Sequence, residues 1–165
     1  MIPGLSVPTL TIIHVLISLF AIGVGLWAFL ALAKGSWLRR WHDWFIALTV
    51  VTSLTGFVFP FKGITPAFAV GLISIALLIA AWVALNRFKL KGWAKLVYVV
   101  TGMVALYFNM FVLVIQSFQK IPVLNALAPN GSEPPFAVAQ GVVLVGSIIL
   151  GFVAYRASRR MTIGA

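Results

Sequence analysis

Two histidines and two carboxylates, with no cysteine, are the titratable side chains beside lysine, arginine and tyrosine in a chain of 165 residues. The lack of cysteine removes thiolate catalysis, disulfide frameworks, Cys-ligated zinc and iron–sulfur clusters. Asp43 and Glu133 stand far apart in the chain, and neither a His-x-x-x-His nor a His-Glu spacing occurs, so metal-assisted or paired-carboxylate hydrolysis has no residues to run on. His14 is the one ionisable group embedded in a long apolar run, which makes it a functional candidate. It has two readings: a ligand or proton-relay group, or a neutral imidazole hydrogen-bonded to Asn109 or Gln116 as glue between helices. His42, beside Asp43 and behind Arg39 and Arg40, reads as an interfacial histidine at a helix start. Asp43 reads as an early-turn acid favoured by the helix dipole.

The elements that position these residues follow from composition. Hydrophobic residues make up 62% of the chain, against 12 Lys+Arg and 2 Asp+Glu. A soluble domain of this size would need far more charge to cover its surface, so the class is an all-α integral membrane bundle. A helix crosses about 30 Å of hydrocarbon with roughly 20 apolar residues. Five segments meet that requirement, at about 9–33, 43–59, 66–85, 95–118 and 136–155, forming a single transmembrane domain. Pro8, Pro60, Pro66, Pro122, Pro134 and Pro135 fall at their edges, where a missing amide is harmless. Lys34, Arg39 and Arg40, then Arg87, Lys89, Lys91 and Lys95, then Arg156, Arg159 and Arg160 occupy alternate connections and the tail, leaving only Lys62 and Lys120 for the other side. By the positive-inside rule the N-terminus is outside and the C-terminus cytoplasmic, with all six tryptophans at or toward the cytoplasmic ends. The basic clusters then serve as topology signals and lipid anchors. The opening residues lack the basic n-region of a cleaved signal peptide. Residues 119–135 read as an ordered outer loop, and no internal repeat supports an inverted-repeat transporter.

Polar and small residues inside a membrane turn toward other helices. At 100° per residue, His14, Ser18, Ala21, Gly25 and Ala28 share one face of the first span, and Tyr98, Gly102, Ala105, Asn109 and Gln116 share one face of the fourth. The other seams are Thr49, Thr52 and Gly56; Ala67, Gly71, Ser74 and Ala81; and Gln140, Ser147, Gly151 and Ala154. With alternating direction, His14, Ser18, Thr52, Thr55, Asn109, Gln116 and Gln140 fall in the outer half. The expectation is an outward-facing polar pocket lined by His14, Ser18, Thr52, Asn109, Gln116 and Gln140, lidded by the loop bearing Glu133.

Such a chain is expected to be non-catalytic. Its leading reading is a membrane protein that binds a small ligand in that pocket or acts as an accessory subunit of a membrane complex. A redox subunit holding haem or quinone is the first alternative. His14 and His42 are too far apart along the bundle to ligate one iron, so haem would need His14 from two copies, or His14 with Met110. A homo-oligomeric channel or facilitator lined by Thr, Asn and Gln is the second. The small-x-x-x-small pairs Ala137–Gly141 and Ser147–Gly151 suit close helix contacts, including those of a homo-oligomer. The lipid bilayer is the expected partner and nucleic acid is not, because the basic residues lie between apolar runs and not on a soluble face.

His14, Lys34-Gly35-Ser36, His42 and Leu54-Thr55-Gly56 together resemble the pattern of a group of uncharacterised small bacterial multi-pass membrane proteins. Tyr107-Phe108-Asn109, the run from Gln116 to Pro122 and Glu133-Pro134-Pro135-Phe136 are similar to a further signature of such proteins. The resemblance implies a bacterial inner-membrane setting and carries no activity with it.

Overall fold

The computed structural model describes residues 6–59 and 66–162, so Pro60 and Lys62 lie outside the described residues, as does the side chain of Ala67. It is all-helical. Helices α1 (Val7–Ala33), α2 (Arg39–Phe57), α3 (Pro66–Asn86), α4 (Ala94–Lys120), α5 (Pro122–Leu127) and α6 (Pro134–Arg160) follow one another with no strand among the described residues. Four of them, α1, α3, α4 and α6, are long and apolar enough to cross a membrane. The second expected span does not reach that standard by itself. Arg39, Arg40, His42 and Asp43 crowd the start of α2, and Thr49, Thr52, Ser53 and Thr55 interrupt its apolar run. The connection expected to be all loop, residues 119–135, contains the short helix α5.

Local chemistry sets the helix ends. Ser6 caps α1 by accepting the Thr9 amide, and Pro8 occupies the first turn, where its missing N–H costs nothing. At the other end Gly35 takes φ +83°, which lets the Gly35 amide reach the Leu32 carbonyl and the Ser36 amide reach that of Ala31. That paired closure turns the chain sharply into α2. Between α3 and α4, Lys89 and Leu90 both adopt left-handed backbone, at φ 51° and 55°. Neither is glycine, so the turn is strained, and it is held by the burial of Leu90, which is 2% exposed.

The long helices form a closed ring in the order α1, α2, α3, α4, α6 and back to α1, with α4 leaning inward to touch α1 and α2 as well. Neighbours in sequence run antiparallel. His14 near the start of α1 meets Thr55 near the end of α2, Arg39 at the start of α2 meets Asn86 at the end of α3, and Lys95 at the start of α4 meets the end of α6. The basic ends of α1, α2, α3, α4 and α6 are thereby gathered at one end of the bundle, called the basic end below.

Burial follows size as well as polarity. Ala21, Ala28, Ala81, Ala105 and Ala154 are fully buried, whereas Ile12, Leu16, Phe20, Leu72, Ile79 and Ile148 point outward. Large apolar groups can stay outside only if the surroundings are apolar too, and backbones approach closely where side chains are small. The closest approaches are at Gly25 and Gly102. A Cβ on Gly25 would lie 2.7 Å from the Phe45 ring, and one on Gly102 would lie 2.8 Å from Phe29 Cζ. Gly102→Ala is therefore expected to lose about 1–3 kcal/mol through overpacking, read as a lower melting temperature in detergent. Gly23→Ala, on the same helix as Gly25 but with open space around the new methyl, serves as its neutral control.

Candidate functional site

His14 does face protein, but its partner is neither Asn109 nor Gln116. Its Nδ1 lies 2.8 Å from Thr55 Oγ1, and its ring meets Phe59 edge to face at 5.4 Å between centroids. Thr55 Oγ1 also lies 2.8 Å from the Val51 carbonyl and 3.0 Å from that of Thr52. Carbonyls can only accept, so the hydroxyl proton goes to them and the imidazole N–H donates to Thr55. Gly56 leaves room for the ring, since a Cβ there would stand 3.7 Å from His14 Cε1. Ser18 turns its hydroxyl back to the His14 carbonyl at 2.7 Å, a bond within α1.

The other expected pocket residues are spread along the bundle. Asn109 donates to Thr49 Oγ1 at 3.4 Å, which is in α2 but almost two turns from Thr55. Gln140 donates to the Phe111 carbonyl at 3.2 Å, across the α4–α6 contact, and its Oε1 is buried without a partner among the described residues. Thr52 is buried with its hydroxyl likewise unpartnered. Gln116 is exposed, although at 100° per residue it lies about 20° from the half-buried Asn109. The structure thus brings His14 together with Thr55, and Asn109 with Thr49, as separate bonded pairs. Neither of the two cavities described next is lined by any of the six expected pocket residues.

The densest constellation lies at the basic end and centres on His42. That residue, the fourth of α2, is fully buried within the protein. Its Nδ1 is 2.6 Å from the hydroxyl of Tyr98, itself 1% exposed. The Trp37 ring stacks flat on the imidazole at 4.2 Å, and Phe29 meets it edge-on at 5.5 Å. A phenol donating to Nδ1 places the ring proton on Nε2, and Nε2 has no hydrogen-bond partner among the described residues. Beside the pair, Trp37, Tyr98, Leu32, Leu90, Lys95, Val99 and Ser158 border a cleft too tight to admit a water molecule. Just outside it, Arg39 Nε grips both oxygens of Asp43 at 2.9 and 3.0 Å and its Nη2 donates to Asn86 Oδ1 at 2.6 Å. Sequence did carry a signal for His42. It lies seven residues before Thr49, and hence within about 20° of the Thr49–Thr52 seam already assigned to the interior.

A second cavity, of about 240 Å³, opens between the ends of α1 and α6 and is lined by Ala33, Phe152, Val153, Arg156, Ala157 and Arg160. At the opposite end Glu133, at the N-cap of α6, accepts from the amides of Asn130 and Ser132 and from the Asn130 side chain at 2.8–3.0 Å. Desolvation would raise its carboxyl, but those hydrogen bonds outweigh it and hold the group below the ordinary carboxylate range. Glu133 therefore organises its own loop through its bonds to Asn130 and Ser132.

As for cofactors, His14 is bonded to Thr55 near the end of α2 and His42 stands near its start, and the 13 helical steps from His42 to Thr55 rise about 20 Å, so one chain does not offer both to a single iron. No group of three His, Cys, Asp or Glu side chains comes together among the described residues. Comparison with protein-family models, curated proteins and solved structures found no match for this chain.

Two predictions follow from these bonds. Tyr98→Phe leaves His42 with both ring nitrogens unpartnered and is expected to destabilise by about 1–3 kcal/mol, whereas Thr55→Val, at the half-buried His14, should cost about 0.5–1 kcal/mol. Thermal melts of both variants in one detergent check the order. For Glu133, a depressed carboxyl contributes order that is complete above the ordinary glutamate range, about pH 4, and is lost as pH falls through it. Amide exchange at Asn130 and Ser132 should then accelerate on acidification relative to the rest of the chain, and Glu133→Gln should remove that dependence.

Proposed function

We propose that the chain is a non-catalytic membrane protein of five spans, N-terminus outside and C-terminus cytoplasmic, in a bacterial inner membrane, and that it serves as an accessory subunit by packing against a partner. Support for α2 as the fifth span comes from its pairing with α1 along its length, from Trp41 against Trp27 at one end to Thr55 against His14 at the other. Its 19 residues rise about 28 Å, close to the hydrocarbon thickness. Support for the orientation is the gathering of basic side chains at one end.

The observation that carries the accessory role is the uneven use of the helices. The pairs His14–Thr55, Asn109–Thr49 and Tyr98–His42 bind α1, α2 and α4 to one another, and the cavities at hand do not reach His14. By contrast only 6% of the apolar window of α6 is buried, against 28–39% for the other three candidate spans. Val138, Val142, Val145 and Ile149 project from it at the 4-3-4 spacing of a helix-packing seam, each more than half exposed. Ala137 and Gly141 have small-x-x-x-small spacing, and Gly141 has open space where a Cβ would stand. The other small pair, Ser147 and Gly151, is spent inside the bundle, where a Cβ on Gly151 would stand 3.2 Å from Met103.

Photo-crosslinking in native membranes tests this reading. A crosslinker at Val142 or Ile149 is expected to give protein adducts, and one at Leu72 or Ile79, equally exposed on α3, is expected to give lipid adducts only. Lipid adducts alone from all four positions would overturn the accessory role. Adducts with a second copy of the chain would make the partner itself.

A further inference from the structure

The chain has only two side-chain carboxylates for 12 Lys and Arg, and neither is free for the end of α6. Asp43 is gripped by Arg39. Glu133 opens the same helix that Arg156 and Arg160 close, and 23 residues of helix put it about 34 Å from Arg156. The terminal carbonyls of α6 are not a resting place for these arginines either, because Lys95 Nζ already donates to those of Ser158 and Met161 at 2.9 and 2.6 Å. Arg156 and Arg160 stand one turn apart, both exposed, at the rim of the 240 Å³ groove. Among the described residues no carboxylate is free to supply their counter-charge.

The rest of the groove is apolar. Phe152, Val153 and Ala157 of α6 and Ala33 of α1 line it, with the Arg156 guanidinium 5.8 Å from the centre of the Phe152 ring. Lys34, exposed, is the residue next to Ala33. A free inorganic anion would satisfy the arginines and leave the apolar walls uncovered. A zwitterionic or neutral amphiphile would cover the walls and leave the cations uncompensated. We infer that this groove is a binding site for an anionic phospholipid, its phosphate between Arg156 and Arg160 and the first methylenes of an acyl chain against Phe152, Val153 and Ala33. Guanidinium forks hold phosphate oxygens with charge-assisted bonds, and 240 Å³ is the volume of about eight waters, room for the phosphate and the start of a chain. The site needs the bundle to lie in a bilayer but does not need a docked partner, so it stands or falls apart from the accessory role.

The test is native mass spectrometry of the purified full chain in detergent, titrated with phosphatidylglycerol or phosphatidylcholine, alongside thermal melts. Phosphatidylglycerol is expected to bind about tenfold tighter than phosphatidylcholine and to raise the melting temperature. R156Q/R160Q should abolish that preference. A157F keeps both arginines but fills the groove, and should also weaken binding, whereas K89Q/K91Q, which removes the same charge elsewhere at the basic end, should leave it intact. Because all these positions lie on the surface or in the groove, the unliganded melt of each variant serves as the folding control. The inference is overturned if phosphatidylcholine binds as tightly, if R156Q/R160Q or A157F binds like wild type, or if millimolar inorganic phosphate displaces the lipid completely, which would mark a simple anion site.

Discussion

A polar side chain in a bilayer has no water to turn to, so it must find its partner on a neighbouring helix or within its own turn. That constraint organises the interior of this protein. His14 bonds to Thr55 between α1 and α2, Gln140 to the Phe111 carbonyl between α6 and α4, and both Asn109 to Thr49 and Tyr98 to His42 between α4 and α2. Serine and threonine residues without such a partner fold their hydroxyls back onto a carbonyl of their own helix, as Ser18, Thr101 and Ser147 do. Pairing of this kind sets the register between helices that apolar packing alone would leave loose, since lipid tails are as apolar as leucine.

The second requirement is close approach, which α4 answers. It is the helix that touches all the others, and it can do so because Gly102 and Ala105 face the centre. Phe29 fits over Gly102, and Phe45 and Leu106 fit over Gly25 of α1. The aromatic layer formed by Phe29, Phe45, Trp37 and Tyr98 then encloses His42. An imidazole there is tolerated because it is neutral and because a phenol fills one of its two hydrogen-bonding sites. The unpartnered Nε2 remains a cost, and the surrounding aromatic faces are what keep it from relaxing toward the headgroups.

Much of this arrangement was legible from residue types alone. The faces of α1 and α4 could be read because small residues recur at helical spacing, and the buried Ala21, Gly25, Ala28, Tyr98, Gly102 and Ala105 are those the spacing selects. Which group bonds to which was not legible, because a helical wheel gives direction but not the depth at which two tilted helices cross. His14 and Asn109 both point inward, yet α2 lies between them and supplies a threonine to each. Gln116 shares the direction of Asn109 yet is exposed, so direction on the wheel does not by itself set burial. The burial of His42 was not read because the charged residues around it belong to the rim, while its own side chain follows the Thr49 face into the core. In α2 generally, one polar residue in the first turn says nothing of whether it looks out toward headgroups or in toward an aromatic shell.

The rim obeys a different balance from the interior. Inside, the polar bonds join neutral groups, and the buried atoms left over are Thr52 Oγ1, Gln140 Oε1 and His42 Nε2 among the described residues. At the basic end, cations outnumber carboxylates so heavily that pairing within the chain is arithmetically excluded. Two cations do find work inside the fold: Arg39 ties α2 to α3 through Asp43 and Asn86, and Lys95 caps α6. Both act at helix ends, where unsatisfied carbonyls and amide oxygens are the acceptors that remain once carboxylates run out. The surplus is held at the surface by long side chains, which can reach headgroup phosphates while their stems stay against the apolar helix ends. The charge of the basic end is thus left to its surroundings, whereas the interior is closed by bonds within the chain such as that of His42 with Tyr98.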